Sequence, residues 1–339
     1  MKVVRRAGVA LLLAAAVAVG FVGLTHWIMN IIIFTVMYAG LATGWNLVGG
    51  FAGYTSLGHA AFFGIGAYAM DVTFEHHSIG AGYIPFAILP LIGIGVAAVS
   101  IPLGWIAMRT RAATFAIVTI TLLFVVQTLA FNLKSITHGS QGMGITPPPF
   151  ALHTYERPFY VAMLAMLVLA LVTSWYVQRS KLGLALAAIR DDEDKAHGVG
   201  LHVAAVKLIA FSTSVALASM IGAVWAYYVL FIYPQFAVDP LISIGIVLMV
   251  FLGGKGTLWG PALGALIVVP AQQYFAYELG ASKLYLIAYA ALFLVIMLFL
   301  PQGIIPSLTS WADRNRHRRS RTMSGGQQLA APSLHEVLS

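Results

Sequence analysis

RSKLGLALAAIRDDEDKAHGVGLHVAAVK, residues 179–207, is a polar stretch within a chain that is otherwise strongly apolar. It holds 4 of the chain's 11 acidic residues in one run, Asp191, Asp192, Glu193 and Asp194. At the centre of a bilayer each of these acids would cost roughly 2.5–3.5 kcal/mol. The stretch is therefore expected to lie in water, on one side of a membrane.

Part of this stretch has the pattern of a short amphipathic helix. Apolar residues in segment 182–189 recur at i, i+3, i+4 and i+7, and Gly198 and Gly200 are expected to end the helix. Such a helix between two membrane spans is suited to bind a soluble partner. The alternative is an ordinary solvated loop whose charges only set topology.

The composition indicates a membrane protein. The chain has 339 residues, of which 60% are hydrophobic and 9% charged, whereas a soluble domain carries about 25% charged residues. We therefore predict an all-α integral membrane protein. The chain has no cysteine, which excludes disulfides and thiol-ligated metal centres.

The apolar runs predict about ten transmembrane helices. They lie at 7–24, 27–48, 54–74, 83–108, 114–131, 159–178, 203–233, 240–252, 258–277 and 284–300. The first run, within 1–26, follows a basic start and resembles a signal peptide. Because it is almost long enough to span and more spans follow, we interpret it as a retained helix, with cleavage as the alternative. Segment 240–252 would be only about 20 Å long as a helix, so it either tilts or does not fully span.

Other segments are predicted to lie outside the membrane. Segment 134–157 is rich in Gly and Pro, which predicts a turn-rich, non-helical surface loop. The tail at 311–339 is basic and then polar, and it is predicted to be disordered.

The distribution of basic residues predicts the orientation. With ten spans and the N-terminus inside, the outer loops hold 3 of the 19 Lys and Arg residues, namely Lys134, Arg157 and Lys283. The positive-inside rule then places both termini and the 179–207 loop in the cytoplasm. The net charge of +8 is explained by this topology, so no nucleic-acid partner is implied.

A glycine-rich stretch interrupts the early spans. Helix breaks at membrane depth are tolerated where they are buried in protein or line a cavity. We predict that Gly53 and Gly58 lie in van der Waals contact with another backbone or side chain. The polar residues nearby or at similar depth are interpreted as inter-helix contacts, with lining of a transport path as the alternative: Asn46, Ser56, His59 and Gln127.

Two short motifs resemble nucleotide-binding sequences without meeting their requirements. GGKGT at 253–257 resembles a phosphate-binding loop, but Gly256 follows Lys255 where Ser or Thr is required. SGGQ at 324–327 resembles the signature of ABC ATPases, but it lies in the polar tail and we interpret it as a chance match. Any driving ATPase must therefore be a separate polypeptide.

No catalytic set, metal-ligand cluster or cofactor motif stands out. We interpret Asp71 and Glu75, followed by His76 and His77, as a solvated mouth, with metal binding as the alternative. An ion-coupled carrier usually holds an ionisable group at mid-depth. Since the spans contain almost no full charges, the sequence favours an externally powered permease over a carrier or a membrane enzyme.

Several motifs carry a family resemblance. GLALAAIRDDEDKAHGVGLHVAAVKLIAF at 183–211 resembles the coupling loop of ABC importer permeases, in particular the M-type permeases of branched-chain amino acid importers. NLVGGFAGYTSLGHAAFFGIGAY at 46–68, TFAIVT at 114–119 and GGKGTLWGPALGA at 253–265 resemble the same family. The chain departs from the family pattern where Leu184 replaces Arg, Tyr54 replaces Gln, Thr55 replaces Leu and His138 replaces Gly.

This resemblance, over roughly 27–305, implies a permease domain at 27–310 in a bacterial inner membrane. The implied partners are a homologous permease, two cytoplasmic ATPases, a periplasmic solute-binding protein and membrane lipid. The usual cargo is a branched-chain amino acid, while urea, amides or another small solute, and a passive channel, are alternatives. The resemblance assigns ATPase coupling to Gly183, Arg190, Asp191, Asp192, Glu193, Ala196 and Gly198.

Overall fold

The computed structural model describes residues 18, 20, 23–77, 80–279, 287, 290, 291, 294 and 303–307. The main helices are α1 (His26–Asn46), α2 (His59–His77), α3 (Ile84–Ala107), α4 (Ala112–Asn132), α5 (Glu156–Arg179), α6 (Lys181–Asp191), α7 (Glu193–Gly198), α8 (Val203–Val229), α9 (Pro240–Gly253) and α10 (Gly260–Leu279). The predicted span at 284–300, apart from isolated positions, and the tail at 311–339 lie outside the described residues, as does most of the predicted first span.

Six helices in the described part of the chain are long and apolar enough to cross a membrane: His26–Phe51, Ile84–Ala107, Ala112–Asn132, Glu156–Arg179, Val203–Val229 and Pro234–Gly253. Helices α2 and α10 are not among them, because Asp71 and Glu75 lower the mean hydropathy of α2, as Gln272 and Gln273 do in α10. The fold is therefore an all-α, multi-pass membrane protein.

Helices α1 and α8 form the centre of the bundle. Helix α8 packs mainly against α2 and α3, while α1 packs mainly against α5 and α10. Helices α3, α4 and α5 are less buried and expose large apolar side chains such as Leu91, Ile106, Ile117 and Tyr176. Such an apolar exterior is suited to contact lipid.

Helix α1 ends in a π-helical turn, Leu47–Phe51. A Cβ at Gly49 would lie 2.0 Å from the Trp45 ring, and a Cβ at Gly50 would lie 1.8 Å from Asn46 Oδ1. The side chains of Trp45 and Asn46 therefore occupy the space that a Cβ at Gly49 or Gly50 would need. Such π turns are frequent at functional sites.

The predicted span at 54–74 begins later, because α2 starts at His59. The non-helical residues before it form hydrogen bonds with residues of other segments. The backbone N–H of Leu57 donates to Thr119 Oγ1 at 3.0 Å, and the Trp45 indole donates to the Ser56 carbonyl at 2.7 Å. These contacts satisfy polar backbone groups that lipid could not.

The predicted span at 203–233 ends earlier, at Val229. Leu230 has a φ of 63°, in the left-handed region that stops a helix. The chain then forms strand β2 (Phe231–Ile232), which pairs antiparallel with β1 (Met143–Gly144). The predicted non-helical loop at 134–157 also contains a helical turn, Lys134–Thr137, and the first residues of α5.

The bundle has two chemically different ends. We call the end formed by 47–58, 109–111, 181–202 and 254–257 the coupling end. The opposite end, formed by 75–83, 134–155 and 230–239, is called the mouth end. Ion pairs join segments within each end, namely Arg111–Asp194 at the coupling end and Glu75–His138 at the mouth end.

Candidate functional site

The polar stretch forms two consecutive short helices at the coupling end, α6 and α7. Ser180 caps α6, its Oγ accepting from the Gly183 backbone N–H at 3.3 Å. Asp192 caps α7, its Oδ1 accepting from the Lys195 backbone N–H at 3.0 Å. This backbone hydrogen bond, together with the Lys195 side chain, lowers the pKa of Asp192. The two caps fix where each helix begins.

The apolar face of α6 is used inside this chain. In α6, Leu186 and Ile189 are buried, whereas Leu184 is exposed; Ala196 of α7 is also buried. The central apolar residues of α6 therefore pack against the rest of this chain and are not open to a partner. The surface left open carries mainly polar and charged residues: Lys181, Arg190, Asp191, Asp194, Lys195 and His197.

Gly183 allows α6 to start directly beside the end of α5. A Cβ at this position would lie 2.2 Å from the Val177 carbonyl oxygen, and 3.0 Å from Gln178 Cα. Contacts this short with backbone cannot be relieved by a rotamer change. The glycine thus sets the angle between α5 and the two helices α6 and α7, which we call the coupling segment.

Arg190 lies against residues 50–53, in the segment 47–58 between α1 and α2, which we call the broken segment. Its Nη1 is 3.5 Å from the Gly50 carbonyl oxygen, a long contact, and its Nε is 3.6 Å from Asp191 Oδ1. Gly53 has a φ of 81°, and a Cβ there would lie 2.9 Å from Arg190 Cγ. The aliphatic stem of Arg190 therefore packs on Gly53.

Three side chains join the coupling segment to the membrane helices; we call them the Tyr54–Glu193–Lys207 cluster. The Lys207 ammonium donates to Glu193 Oε1 at 2.7 Å, and the Tyr54 hydroxyl donates to Glu193 Oε2. The same ammonium lies 4.2 Å from the centroid of the Tyr54 ring, a cation–π geometry. The Lys207 side chain is 3% exposed and that of Glu193 33%.

Electrostatics keep Glu193 charged in this cluster. Partial burial raises its pKa, but the hydrogen bonds from Lys207 and Tyr54 and the charge of Lys207 outweigh that effect and lower it overall. Burial, followed by the hydrogen bond to Glu193, raises the pKa of Tyr54. At neutral pH Glu193 is thus a carboxylate and Tyr54 a neutral phenol.

The turn at 254–257 completes the coupling end. Asn46 binds it twice, donating from Nδ2 to the Thr257 carbonyl at 2.9 Å and accepting at Oδ1 from the Gly256 N–H at 3.0 Å. Thr257 Oγ1 accepts from the Gly260 N–H at 3.1 Å and so caps α10. Burial, and then the charge of Arg190, lowers the pKa of Lys255.

His59 lies in a buried line of hydrogen bonds. Its Nδ1 is 2.9 Å from Ser56 Oγ, and its Nε2 is 2.7 Å from Ser214 Oγ. Ser214 also donates to the Gly44 carbonyl at 2.7 Å, so it accepts from His59 Nε2. A neutral imidazole with its proton on Nε2 satisfies every member of the line.

The remaining predicted residues also form contacts between segments. A Cβ at Gly58 would lie 2.5 Å from the Thr119 carbonyl oxygen. Gln127 Nε2 donates to the Val238 carbonyl at 2.9 Å. The structure thus gives each of Asn46, Ser56, His59 and Gln127 an inter-helix or inter-segment hydrogen bond.

The mouth end departs from the expected solvated arrangement at one residue. Glu75 is partly exposed and pairs with His138, Oε1 to Nε2 at 3.2 Å. Asp71, however, is only 2% exposed. Asp71 in α2 and Lys207 in α8 are therefore buried ionisable groups, and the interpretation of Asp71 as part of a solvated mouth is wrong. Among the described residues no group of three or more His, Asp and Glu could hold a metal ion.

Tyr54 and Lys207 were not predicted as site residues. The available signals were that Tyr54 stands where the resembled family has Gln, and that Lys207 is a cation at the start of an apolar span. Neither signal identifies Glu193 as the partner, since 139 and 14 positions separate the pairs.

Comparison with known proteins adds independent information. A family model described as "Branched-chain amino acid transport system / permease component" matches residues 27–300. The chain is 30% identical over 321 residues to "High-affinity branched-chain amino acid transport system permease protein LivM" of Escherichia coli (strain K12), covering 87% of this chain and 73% of that protein. The protein of the same name from Salmonella typhimurium matches with the same identity and coverage. No solved structure matches this chain at a significant level.

Proposed function

The chain belongs to the permease-component family of branched-chain amino acid transport systems, and from this premise we propose that it forms half of the transmembrane pathway of an ATP-driven importer. The proposed cargo is leucine, isoleucine or valine. The observation that carries the proposal is a family match over most of the chain, together with identity to two relatives whose names specify this cargo. Urea, amides and other solutes are not favoured by these relatives.

We propose that the permease works with a homologous second permease, two cytoplasmic ATPases and a periplasmic solute-binding protein. Two features of the 254–257 turn support an external energy source: Asn46 and its own Thr257 hold the turn by hydrogen bonds, and the turn lacks the residue that a phosphate loop requires after Lys255.

Coupling to the ATPases is proposed for the segment formed by α6 and α7. Arg190, Asp191 and Gly198 are exposed and are suited to contact a partner, with charge fixing its register. Gly183, Asp192 and Ala196 shape the segment through close packing, a helix cap and burial. Glu193 belongs to the Tyr54–Glu193–Lys207 cluster. This cluster links the coupling segment to residues 47–58 and to α8, so that they move together.

The proposed topology has ten spans in a bacterial inner membrane, with both termini in the cytoplasm. It adds α2, α10 and the segments 7–24 and 284–300 to the six spans, with a permease domain at 27–310 and a tail at 311–339. The coupling end carries most of the described basic residues, which supports its cytoplasmic placement: Arg109, Arg111, Lys181, Arg190, Lys195 and Lys255, with Arg179 and Lys207 in the adjoining turns of α5 and α8.

Uptake by the reconstituted transporter tests the function. The chain would be co-expressed with its companion subunits, purified, and placed in proteoliposomes with the binding protein outside and ATP inside. We expect radiolabelled leucine to accumulate only with ATP and binding protein. Uptake of urea or acetamide, but not leucine, isoleucine or valine, would contradict the proposed cargo.

Single cysteines can test topology and coupling together, since the natural chain has none. Ser140 at the mouth end and Asp194 at the coupling end are both exposed. We expect an impermeant maleimide to label Ser140→Cys from outside in intact cells. Asp194→Cys should react only in inside-out vesicles, and more slowly once the ATPases are bound. Labelling from the reverse sides would overturn the topology, and an unchanged rate at Asp194→Cys would contradict the contact.

A further inference from the structure

Helix α2 contains a buried carboxylate that the described structure leaves without a partner. Asp71 is 2% exposed, and neither of its carboxylate oxygens has a hydrogen-bond partner among the described residues. The hydroxyl of Tyr68, one helical turn earlier, is also buried and unpartnered there. An unpartnered ionisable group at membrane depth is costly, and such groups mark pathways for ions and polar solutes.

These groups share one face of α2. Residues 64, 68, 71 and 75 follow helical spacing. A Cβ at Gly64 would lie 2.5 Å from Val238 Cγ2, and Glu75 pairs with His138. This face therefore looks toward the 234–238 turn and the 134–138 turn. The face that packs on α8 is a different one, since a Cβ at Gly66 would lie 2.0 Å from the Ser219 carbonyl.

A pocket lies one helical turn further toward the mouth. It has a volume of about 190 Å³ and is lined by Phe74, Glu75, His138, Met143, Gly144 and Thr146. Asp71 is six residues before the end of α2 at His77, or about 9 Å along the axis at 1.5 Å per residue. Along α2 from the mouth end, Glu75 therefore comes first and Asp71 follows about one helical turn deeper.

We propose that Asp71 and the Tyr68 hydroxyl form a subsite for the α-ammonium group of the transported amino acid, reached through the mouth pocket beside Glu75. The inference rests on the proposed function. An ammonium has three donors and no acceptor, so the two carboxylate oxygens and the phenol oxygen can each accept one hydrogen bond. The solute thereby supplies the partner that Asp71 lacks.

The substitution Asp71→Asn tests the subsite, because it removes the charge and keeps the shape. In the complete reconstituted transporter we expect leucine uptake to fall about tenfold, the size of one lost charge-assisted hydrogen bond. ATP hydrolysis stimulated by loaded binding protein should stay within about twofold of wild type, because the coupling end is unchanged. Tyr68→Phe should lower uptake by a smaller factor.

Asp239→Asn is the matched control. Asp239 also lies at the mouth end, but it caps α9 by accepting from the Leu241 N–H at 2.8 Å, a role that Asn also fills. Its uptake should equal that of wild type. Because Asp71→Asn replaces a buried carboxyl group that has no hydrogen-bond partner among the described residues by an amide of the same shape, the melting temperature of the purified complex should not fall.

Three results would overturn the subsite. They are wild-type leucine uptake in Asp71→Asn, an equal fall of uptake and hydrolysis, and loss of the companion permease on purification, which would assign Asp71 to a subunit contact. Failure of the wild-type transporter to take up any branched-chain amino acid would instead overturn the proposed function, and the subsite with it.

Discussion

Replacing Lys207 with methionine is expected to lower the ATP hydrolysis that loaded binding protein stimulates in the assembled transporter, by about tenfold. The Lys207 ammonium is 2.7 Å from Glu193 Oε1, and its side chain is almost fully enclosed. Removing one partner of a fully buried pair costs about 3–5 kcal/mol. Because a third of the Glu193 side chain is exposed, we expect Lys207→Met to lower the free energy of unfolding by about 2 kcal/mol.

The physical reason lies in what the cluster connects. Glu193 begins α7 in the coupling segment, Tyr54 lies in the broken segment before α2, and Lys207 lies in the first turns of α8. Without Lys207 the segment can move while the membrane helices do not follow. Hydrolysis should then become independent of the loaded binding protein, while the subunits still co-purify.

A double-mutant cycle and a surface control make this prediction specific. The double variant Glu193→Gln with Lys207→Met should lose less free energy of unfolding than the sum of the losses of the two single variants. The expected difference is about 1–2 kcal/mol. Lys195→Met breaks a surface pair, since Lys195 lies 3.0 Å from Asp192 with its side chain 84% exposed, and it should have little effect. If Lys207→Met behaves like Lys195→Met, the cluster does not carry the coupling.

The direction of the Glu193 pKa shift predicts how the cluster responds to acid. Since the pKa is lowered in the folded protein, its stabilising contribution is complete above the ordinary Glu pKa and is lost as pH falls through the lowered value. Mild acidification should therefore leave coupling intact and should not reproduce the Lys207→Met effect.

Substitution of Gly66 or Gly222 by alanine is expected to destabilise the protein strongly. A Cβ at Gly66 would lie 2.0 Å from the Ser219 carbonyl oxygen, and one at Gly222 would lie 2.0 Å from the Phe63 carbonyl oxygen. These contacts place the backbones of α2 and α8 directly against each other. Small residues at such crossings allow the close packing that holds membrane helices together.

We expect each of these alanine variants to lose about 2–3 kcal/mol of stability, since neither backbone can move without displacing the other helix. The measurement is thermal unfolding of the purified complex in detergent. Gly95→Ala in α3 is the matched control, because no heavy atom lies within 4 Å of a Cβ there. That change should be neutral, or stabilising by up to about 1 kcal/mol through helix propensity. Equal melting temperatures for Gly66→Ala and Gly95→Ala would contradict the packing.

The amino-acid sequence by itself determined the protein class, the positions of the six spans and the location of the polar stretch at 179–207. The bilayer makes this possible, because apolar length and the placement of Lys, Arg and acidic residues decide which segments cross it. The short helix at 182–189 was likewise predictable, since its apolar spacing is local, and it extends over Lys181–Asp191. It ends at Asp191 and not at Gly198 or Gly200, because Asp192 caps a second helix, Glu193–Gly198.

Only the tertiary structure decided the direction and partners of the polar side chains. Glu193 turns inward to Tyr54 and Lys207 although its acidic neighbours Asp191 and Asp194 face outward, and no local pattern distinguishes the three. Helix α2 begins at His59 and not near Tyr54 because Thr119 binds the Leu57 N–H from another helix. Asp71 is buried because the rest of the bundle encloses its face of α2. Each outcome depends on groups brought together from distant parts of the chain, which local periodicity cannot encode.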